Sequence, residues 1–366
     1  MNNIKRTHSR GETADARSNP RVSVVMGVYN GAKYLRESIE SVLRQSFQDF
    51  EFLIIDDAST DSTPEILREY ALEDKRVRLL ENETNLGLTK SLNRGLQVAR
   101  SEFIARQDAD DVSDPHRLEI QLRFMDTHPE VGLLGTGYDT IDDEGNVLQR
   151  GRPPQSDTAI RWQMLFHNAF CHSSVILRRS ILSKEGLSYD ESLPYSQDVE
   201  LWTRVLQHTA AANLNEPLVY LRRHSGNVSS MHGEEQTRLA TMVAWGQMRD
   251  LLGENSPSET QVPTFRRFFQ EIPNPMHADD LRICVRILRL LNLFSRQCGP
   301  DSRTVREIRL SWAIRILKAA PPRLYPRLLS SSAIACLLRY DALYVSLGAA
   351  REVVRCLWRK LIGALR

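Results

Sequence analysis

Between residues 22 and 106, four short apolar runs alternate with segments whose apolar residues recur at helical spacing, and this alternation restricts the fold more than any other feature. Residues 22–28, VSVVMGV, read as a strand buried on both faces of a parallel sheet. Residues 33–46 follow as a helix with Leu35, Ile39, Val42 and Leu43 on one face. Strands are expected again over 51–55 and 77–80, and a fourth leads from Phe103 into a run of acids. Helices are expected after Asp61-Ser62, where either residue can cap and Pro64 falls in the first turn, and over 88–99. Such a series is the signature of a parallel sheet covered by helices, whose ligands collect beyond the carboxyl ends of the strands. Tyr29-Asn30, Asp56-Asp57 and Asp108-Ala109-Asp110-Asp111 all fall at such ends.

The last of these clusters carries the most chemistry. Three acids within four positions repel one another unless a cation or solvent relieves them. Alternation along a strand would put Asp108 and Asp110 on one side, facing a single hard divalent ion. Mg2+ and Mn2+ are held typically by one or two carboxylates together with substrate phosphates. A plain solvated acidic loop is the competing reading. A dinucleotide site needs Gly-x-Gly-x-x-Gly after the first strand, and residues 27–31, GVYNG, do not supply it. No phosphate loop ending in Gly-Lys-Ser/Thr exists. A helix-loop-helix calcium site also fails, because Val112 and Ser113 stand where a ligand and the turn glycine belong.

Farther along, a helix is expected over 114–126, a strand over 131–138, a turn at 142–146 and a Pro-rich loop over 151–160 bordering the cleft. Asp198 falls at the start of an amphipathic helix over 199–207, where its simplest role is an N-cap. A short strand over 218–224 ends at His224. Beyond about residue 235 strand patterns cease and the chain becomes Arg/Leu-rich with helical spacing. The expected organisation is a flexible leader over 1–20, an α/β unit over 21–234 and an all-α region over 235–366. In residues 341–366 Arg351, Arg355 and Arg359 recur every fourth residue opposite an apolar stripe. That pattern suits either a solvated basic face or peripheral contact with an anionic membrane.

Bulk composition narrows the classes. A net charge of +2, from 48 basic and 46 acidic residues, implies no general attraction to nucleic acid. Five cysteines at 171, 284, 298, 336 and 356 show no Cys-x-x-Cys spacing, which argues against a disulfide framework and for a cytoplasmic protein. The leader lacks the apolar stretch of a signal peptide, and no apolar run reaches spanning length.

Six stretches together resemble the family-2 inverting glycosyltransferases of the GT-A fold: residues 22–31, 43–47, 54–61, 85–88, 105–111 (ARQDADD) and 197–202 (QDVELW). The resemblance covers the first ~230 residues and leaves the helical C-terminal third outside it. It implies a mixed, mainly parallel sheet flanked by helices. It also implies a nucleoside-diphosphate sugar donor, most simply a UDP-sugar, a glycan or lipid-linked glycan acceptor, and Mn2+ or Mg2+ as cofactor. Val28, Tyr29, Asn30 and Asp57 then match positions that hold the nucleotide, Asp57 by accepting a hydrogen bond from the base. Asp108 and Asp110 match the family's Asp-x-Asp, with Asp110 the direct metal ligand, and Asp198 matches the catalytic base. His224 sits where some relatives bring a histidine to the metal or diphosphate, and His172 lies toward the acceptor side. Lys90 and Arg106 are near the phosphate region in sequence, or are solvent-exposed charges. Two departures are Gln197, where many relatives have Glu, and Gly27, where many have Pro. A nucleotidyltransferase on a similar sheet would need a basic Gly-rich loop after the first strand. A sugar-nucleotide-binding protein without catalysis would have little use for Asp57, Asp108, Asp110 and Asp198 together.

Overall fold

The structure, a computed structural model, describes residues 19–227, 232–297, 302–321 and 324. The basic segment 341–366 lies outside the described residues. Nine strands form one sheet in the order β3-β2-β1-β4-β8-β6-β9-β5, with β7 added to β6. In chain order the strands are β1 (Val22–Val28), β2 (Phe50–Asp56), β3 (Val77–Glu81), β4 (Phe103–Arg106), β5 (Val112–Ser113), β6 (Val131–Ile141), β7 (Val147–Gly151), β8 (Ile176–Arg178) and β9 (Ala210–Arg222). The helices of the α/β part are α1 (Ala32–Leu43), α2 (Thr63–Glu73), α3 (Leu88–Val98), α4 (Arg117–Thr127), α5 (Asp157–Met164), α6 (Arg179–Glu185) and α7 (Gln197–Val205). Four more follow: α8 (Gly233–Leu252), α9 (Val262–Gln270), α10 (Ala278–Gln297) and α11 (Ser302–Ala319).

The first four strands are parallel, as the alternating pattern requires, and every residue of β1 and β2 is buried. Their carboxyl ends are aligned by register, Val28 opposite Asp56 and Val25 opposite Arg106. Beyond β4 the sheet becomes mixed: β8 runs antiparallel to β4 and β6, while β9 runs parallel to β6. Two apolar layers cover this sheet, one containing Leu35, Ile39, Leu67 and Leu118, the other Leu92, Ile160 and Trp202.

Several expectations need correction. β4 stops at Arg106, so Asp108 and Asp110 lie on a turn and strand alternation does not apply to them. β9 starts at Ala210 rather than near Leu218; Asn215, Glu216 and Pro217 disguise it in the sequence. Its register against β6 shifts near Gly137, where an added Cβ would lie 2.6 Å from the Asn215 carbonyl oxygen. A bulge accommodates Pro217, which cannot donate to the ladder. The stretch read as turn and Pro-rich loop contains β7 and α5. α5 turns Trp162 into a third apolar core shared with Phe265, Phe268, Leu291 and Trp312 of the C-terminal helices.

Candidate active site

The loops after β1 and β2 are held by backbone amides. Asn30 adopts φ +51°, a left-handed conformation that asparagine tolerates better than most residues. Its Oδ1 accepts the Thr60 N–H at 2.8 Å, and its own N–H donates to Ser59 Oγ at 2.9 Å. Asp57 is buried just past β2. Its Oδ1 accepts from Asn82 Nδ2 (2.6 Å) and the Leu86 N–H (2.8 Å), and its Oδ2 from the Gly87 N–H (2.8 Å). Asp57 therefore shapes the segment leading into α3, whose Gly87 has φ +88°. Tyr29 stands half exposed just past β1, and Val28 at the end of that strand accepts the Asp57 N–H at 2.8 Å. Lys90 is exposed on α3.

The turn after β4 is met instead by side chains from distant segments. Arg106, expected as a possible solvent-exposed charge, is 3% exposed. Its guanidinium faces Asp108 Oδ1 and the carbonyls of Val25 and Gln107. Ser173 Oγ lies within hydrogen-bond reach of both Asp108 Oδ2 and Asp111 Oδ2. Burial opposes the charge on Asp108, yet Arg106, His172 and Ser173 hold its carboxyl below the ordinary range. Asp111 goes the other way: burial and the charges of Asp110 and Asp108 push it well up. One hydroxyl proton cannot serve both carboxylates, so Ser173 is shared between two acids whose proton affinities are pushed in opposite directions. Asp110 is raised as well, by burial and by Asp108, against the pull of His224. His224 Nε2 lies 3.1 Å from Asp110 Oδ2, and Asn227 Nδ2 donates to the same oxygen at 2.9 Å.

Asp108 and Asp110 thus take different partners. Among the described residues no three acidic, histidine or cysteine side chains converge closely enough to share a metal ion. The expected trio of Asp108, Asp110 and His224 reduces to the pair Asp110–His224. A carboxylate raised by burial beside an imidazole nitrogen is still a donor set suited to Mn2+ or Mg2+, with the remaining positions left for phosphate oxygens and water.

Asp198 lies in the first turn of α7 and is not its N-cap; that position belongs to Ser196, at φ +59°. The Asp198 Oδ2 accepts instead from Asn168 Nδ2 at 2.7 Å. Between the two acidic regions stand His172 and Tyr189, with Nε2 and OH 3.0 Å apart. Burial lowers the His172 imidazole, with Arg106 adding to the effect and the charges of Asp108 and Asp198 opposing it. Tyr189 is raised by burial and feels the same three charges. Asp108 and Asp198, ninety residues apart in the chain, therefore act on one side-chain pair.

Residues that sequence reading missed hold this arrangement. Arg117 is fully enclosed, and burial pushes its guanidinium down to about 10. It donates to Gln107 Oε1 (3.0 Å), Ser113 Oγ (2.9 Å), Gln121 Oε1 (3.1 Å) and the Arg106 carbonyl (2.8 Å). Its signal was an arginine four residues before Gln121, bordering the apolar stripe of α4. Arg222 is 2% exposed: its N–H donates to Asp111 Oδ1 (2.9 Å), its Nε to the Asp110 carbonyl (3.2 Å) and its Nη2 to Glu37 (2.6 Å).

A family model described as glycosyl transferase family 2 matches residues 23–186. The putative glycosyltransferase EpsE of Bacillus subtilis (strain 168) is 38% identical over 211 residues, covering 57% of this chain and 75% of the relative. The amylovoran biosynthesis glycosyltransferase AmsE of Erwinia amylovora is 30% identical, covering 58% and 79%. Among solved structures, S. aureus TarS 1-349 in complex with UDP-GlcNAc aligns with a TM-score of 0.54 at 17% identity over 93% of this chain and 92% of that one. The structural likeness is one of fold, the GT-A arrangement of a mixed sheet between helices.

Proposed function

Because the chain belongs to glycosyl transferase family 2, we propose that it moves a sugar, with inversion, from a UDP-sugar to a hydroxyl of a glycan or lipid-linked glycan acceptor. Surface polysaccharide synthesis is the setting, in keeping with the names of EpsE's and AmsE's activities as transferases and of AmsE's product. Catalysis is assigned to residues 21–234, with helices α8 to α11 as their support. The observation that carries the reading is the short segment 168–173, whose Asn168 donates to Asp198 Oδ2 at 2.7 Å and whose Ser173 donates to Asp108 Oδ2 at 2.5 Å. A donor diphosphate at the turn and an acceptor hydroxyl at Asp198 would then meet over one short span.

Asp198 withdraws the acceptor's proton as its oxygen attacks the anomeric carbon. One in-line displacement requires no nucleophile from the protein, so a lone carboxylate at that place suffices. Asp57, Tyr29, Asn30 and Val28 form the edge assigned to the nucleotide, with exposed Lys90 on the neighbouring helix. Arg106 acts through Asp108, whose charge it keeps in place. Asp110 and His224 would hold Mn2+ or Mg2+, which when bound offsets the charge that develops on the leaving diphosphate.

The test is release of UDP from a panel of UDP-sugars, with and without Mn2+, in the presence of candidate acceptors. One donor should be consumed in a metal-dependent manner, with the product's anomeric configuration inverted. Asp198→Asn should lower turnover ~10^2–10^4-fold while UDP still binds. Donor binding without release by the parent protein, or full turnover in the variant, would overturn the assignment.

A further inference from the structure

Asp198 accepts a single hydrogen bond within the described residues, and its donor, Asn168, lies thirty positions earlier in the chain. The amide of Asn168 can face only one way. Its Oδ1 accepts the Phe170 N–H at 3.1 Å, which turns Nδ2 toward Asp198 Oδ2 at 2.7 Å. The backbone around it is pinned as well, since Gln163 Nε2 donates to the Asn168 carbonyl at 3.1 Å.

The two preceding residues tie this loop to the C-terminal helices. Phe166 stacks on Phe269 of α9 with ring centroids 4.4 Å apart and planes 16° from parallel. His167 brings Nε2 to 2.8 Å from the Arg266 carbonyl, and Gln270 Nε2 reaches its Nδ1 at 3.3 Å. The segment that ends in Asn168 is thus clamped from outside the sheet.

We infer that Asn168 is the positioning residue for Asp198, holding one carboxylate oxygen so that the other faces the acceptor hydroxyl. This rests on the reading of Asp198 as the base. A neutral amide suits the task. An arginine or lysine in its place would orient the carboxylate equally well but would stabilise its charge and weaken it as a proton acceptor. The amide fixes direction without placing a full charge beside the carboxylate. His172 and Tyr189 are the ionisable groups that feel its charge, and neither is hydrogen-bonded to Asp198 among the described residues.

Two variants of the full chain test the inference, with the donor selected by the panel above. Asn168→Ala removes the bond. Asn168→Asp keeps the acceptor for the Phe170 N–H and puts a like charge beside Asp198. Crystal structures of both should show the Asp198 side chain in a different rotamer. Turnover should fall at least ~10-fold, with the Michaelis constant for the donor unchanged. In Asn168→Asp the acid limb of the pH–rate profile should also move upward, which a loss of folding alone would not cause. An unmoved Asp198 in both variants, or turnover within twofold of the parent, overturns the inference. Asp198→Asn separates the two levels: full activity there sinks the base itself, whereas an inactive Asp198→Asn beside a fully active Asn168→Ala sinks only the positioning role.

Discussion

The loops that end β1 and β2 and the turn that ends β4 share one edge of the sheet, yet they satisfy their polar groups in opposite ways. Asn30 and Asp57 take the backbone N–H groups of Thr60, Leu86 and Gly87 and the side-chain amide of Asn82, all within the first four strands. Asp108, Asp110 and Asp111 take Arg106, Ser173, Arg222, His224 and Asn227, most of them from the second half of the chain. Amides are neutral, so the acid of the first region meets no ionisable partner among the described residues. Ionisable side chains in a low-dielectric turn push each other's proton affinities apart, so Asp108 is lowered while Asp111 is raised. One edge thus holds its acids with neutral donors of fixed geometry, the other with groups that themselves titrate.

The largest break in this contrast should come from Arg117→Met. It removes the buried guanidinium beneath the turn and takes a donor from Gln121 Oε1, Ser113 Oγ and the Arg106 carbonyl, leaving Gln107 Oε1 with Ser113 alone. A loss of ~3–5 kcal/mol in denaturant-measured stability is expected. A loss under ~1 kcal/mol would mean that the turn holds itself. Next, Asp110→Asn should lower turnover about 100-fold or more, equivalent to ~2.7 kcal/mol, while metal-free UDP affinity stays constant. Chelation with EDTA followed by Mn2+ should abolish and restore activity in the parent protein only. Asp57→Asn should do the reverse, weakening UDP binding about tenfold as the 82–87 segment loosens, with little change in turnover of bound donor. Equal effects of the two substitutions on binding would erase the division between the regions.

The smallest effect concerns the clamp on α9. Burial depresses His167 below its ordinary ~6.5, and its neutral ring serves Arg266 and Gln270. As pH falls, the unfolded chain takes up the proton first. The stabilising contribution is therefore complete above ~6.5 and lost as pH drops through the folded value. Amide protection factors in residues 163–170, corrected for the intrinsic pH dependence of exchange, should fall between pH 7 and 5, and His167→Gln should flatten that fall. An unaltered pH response in the variant would remove His167 from the clamp.

How much was legible before the fold was known differs along the same divide. The four parallel strands could be read because two-sided burial leaves uninterrupted apolar runs, and Asp57 and the acid run could be placed because they follow such runs directly. β7, α5 and the first half of β9 escaped, since Pro217, Asn215 and the polar faces of short elements carry no period of their own. Arg117, Ser173, Arg222 and Asn168 escaped for a related reason: an arginine, serine or asparagine looks the same in sequence whether it meets water or a buried carboxylate.

Local order, then, came from the chain itself: hydrophobic spacing dictated the parallel half of the sheet, the strand ends at which chemistry gathers, and the identity of the acids there. What tertiary structure alone decided was the role each acid plays. Asp108 is lowered, Asp111 is raised, Asp110 meets its histidine and Asp198 its amide because of partners brought from two to 117 positions away. Proton affinity depends on burial and on charges a few ångströms off, and those distances exist only after the chain has closed on itself.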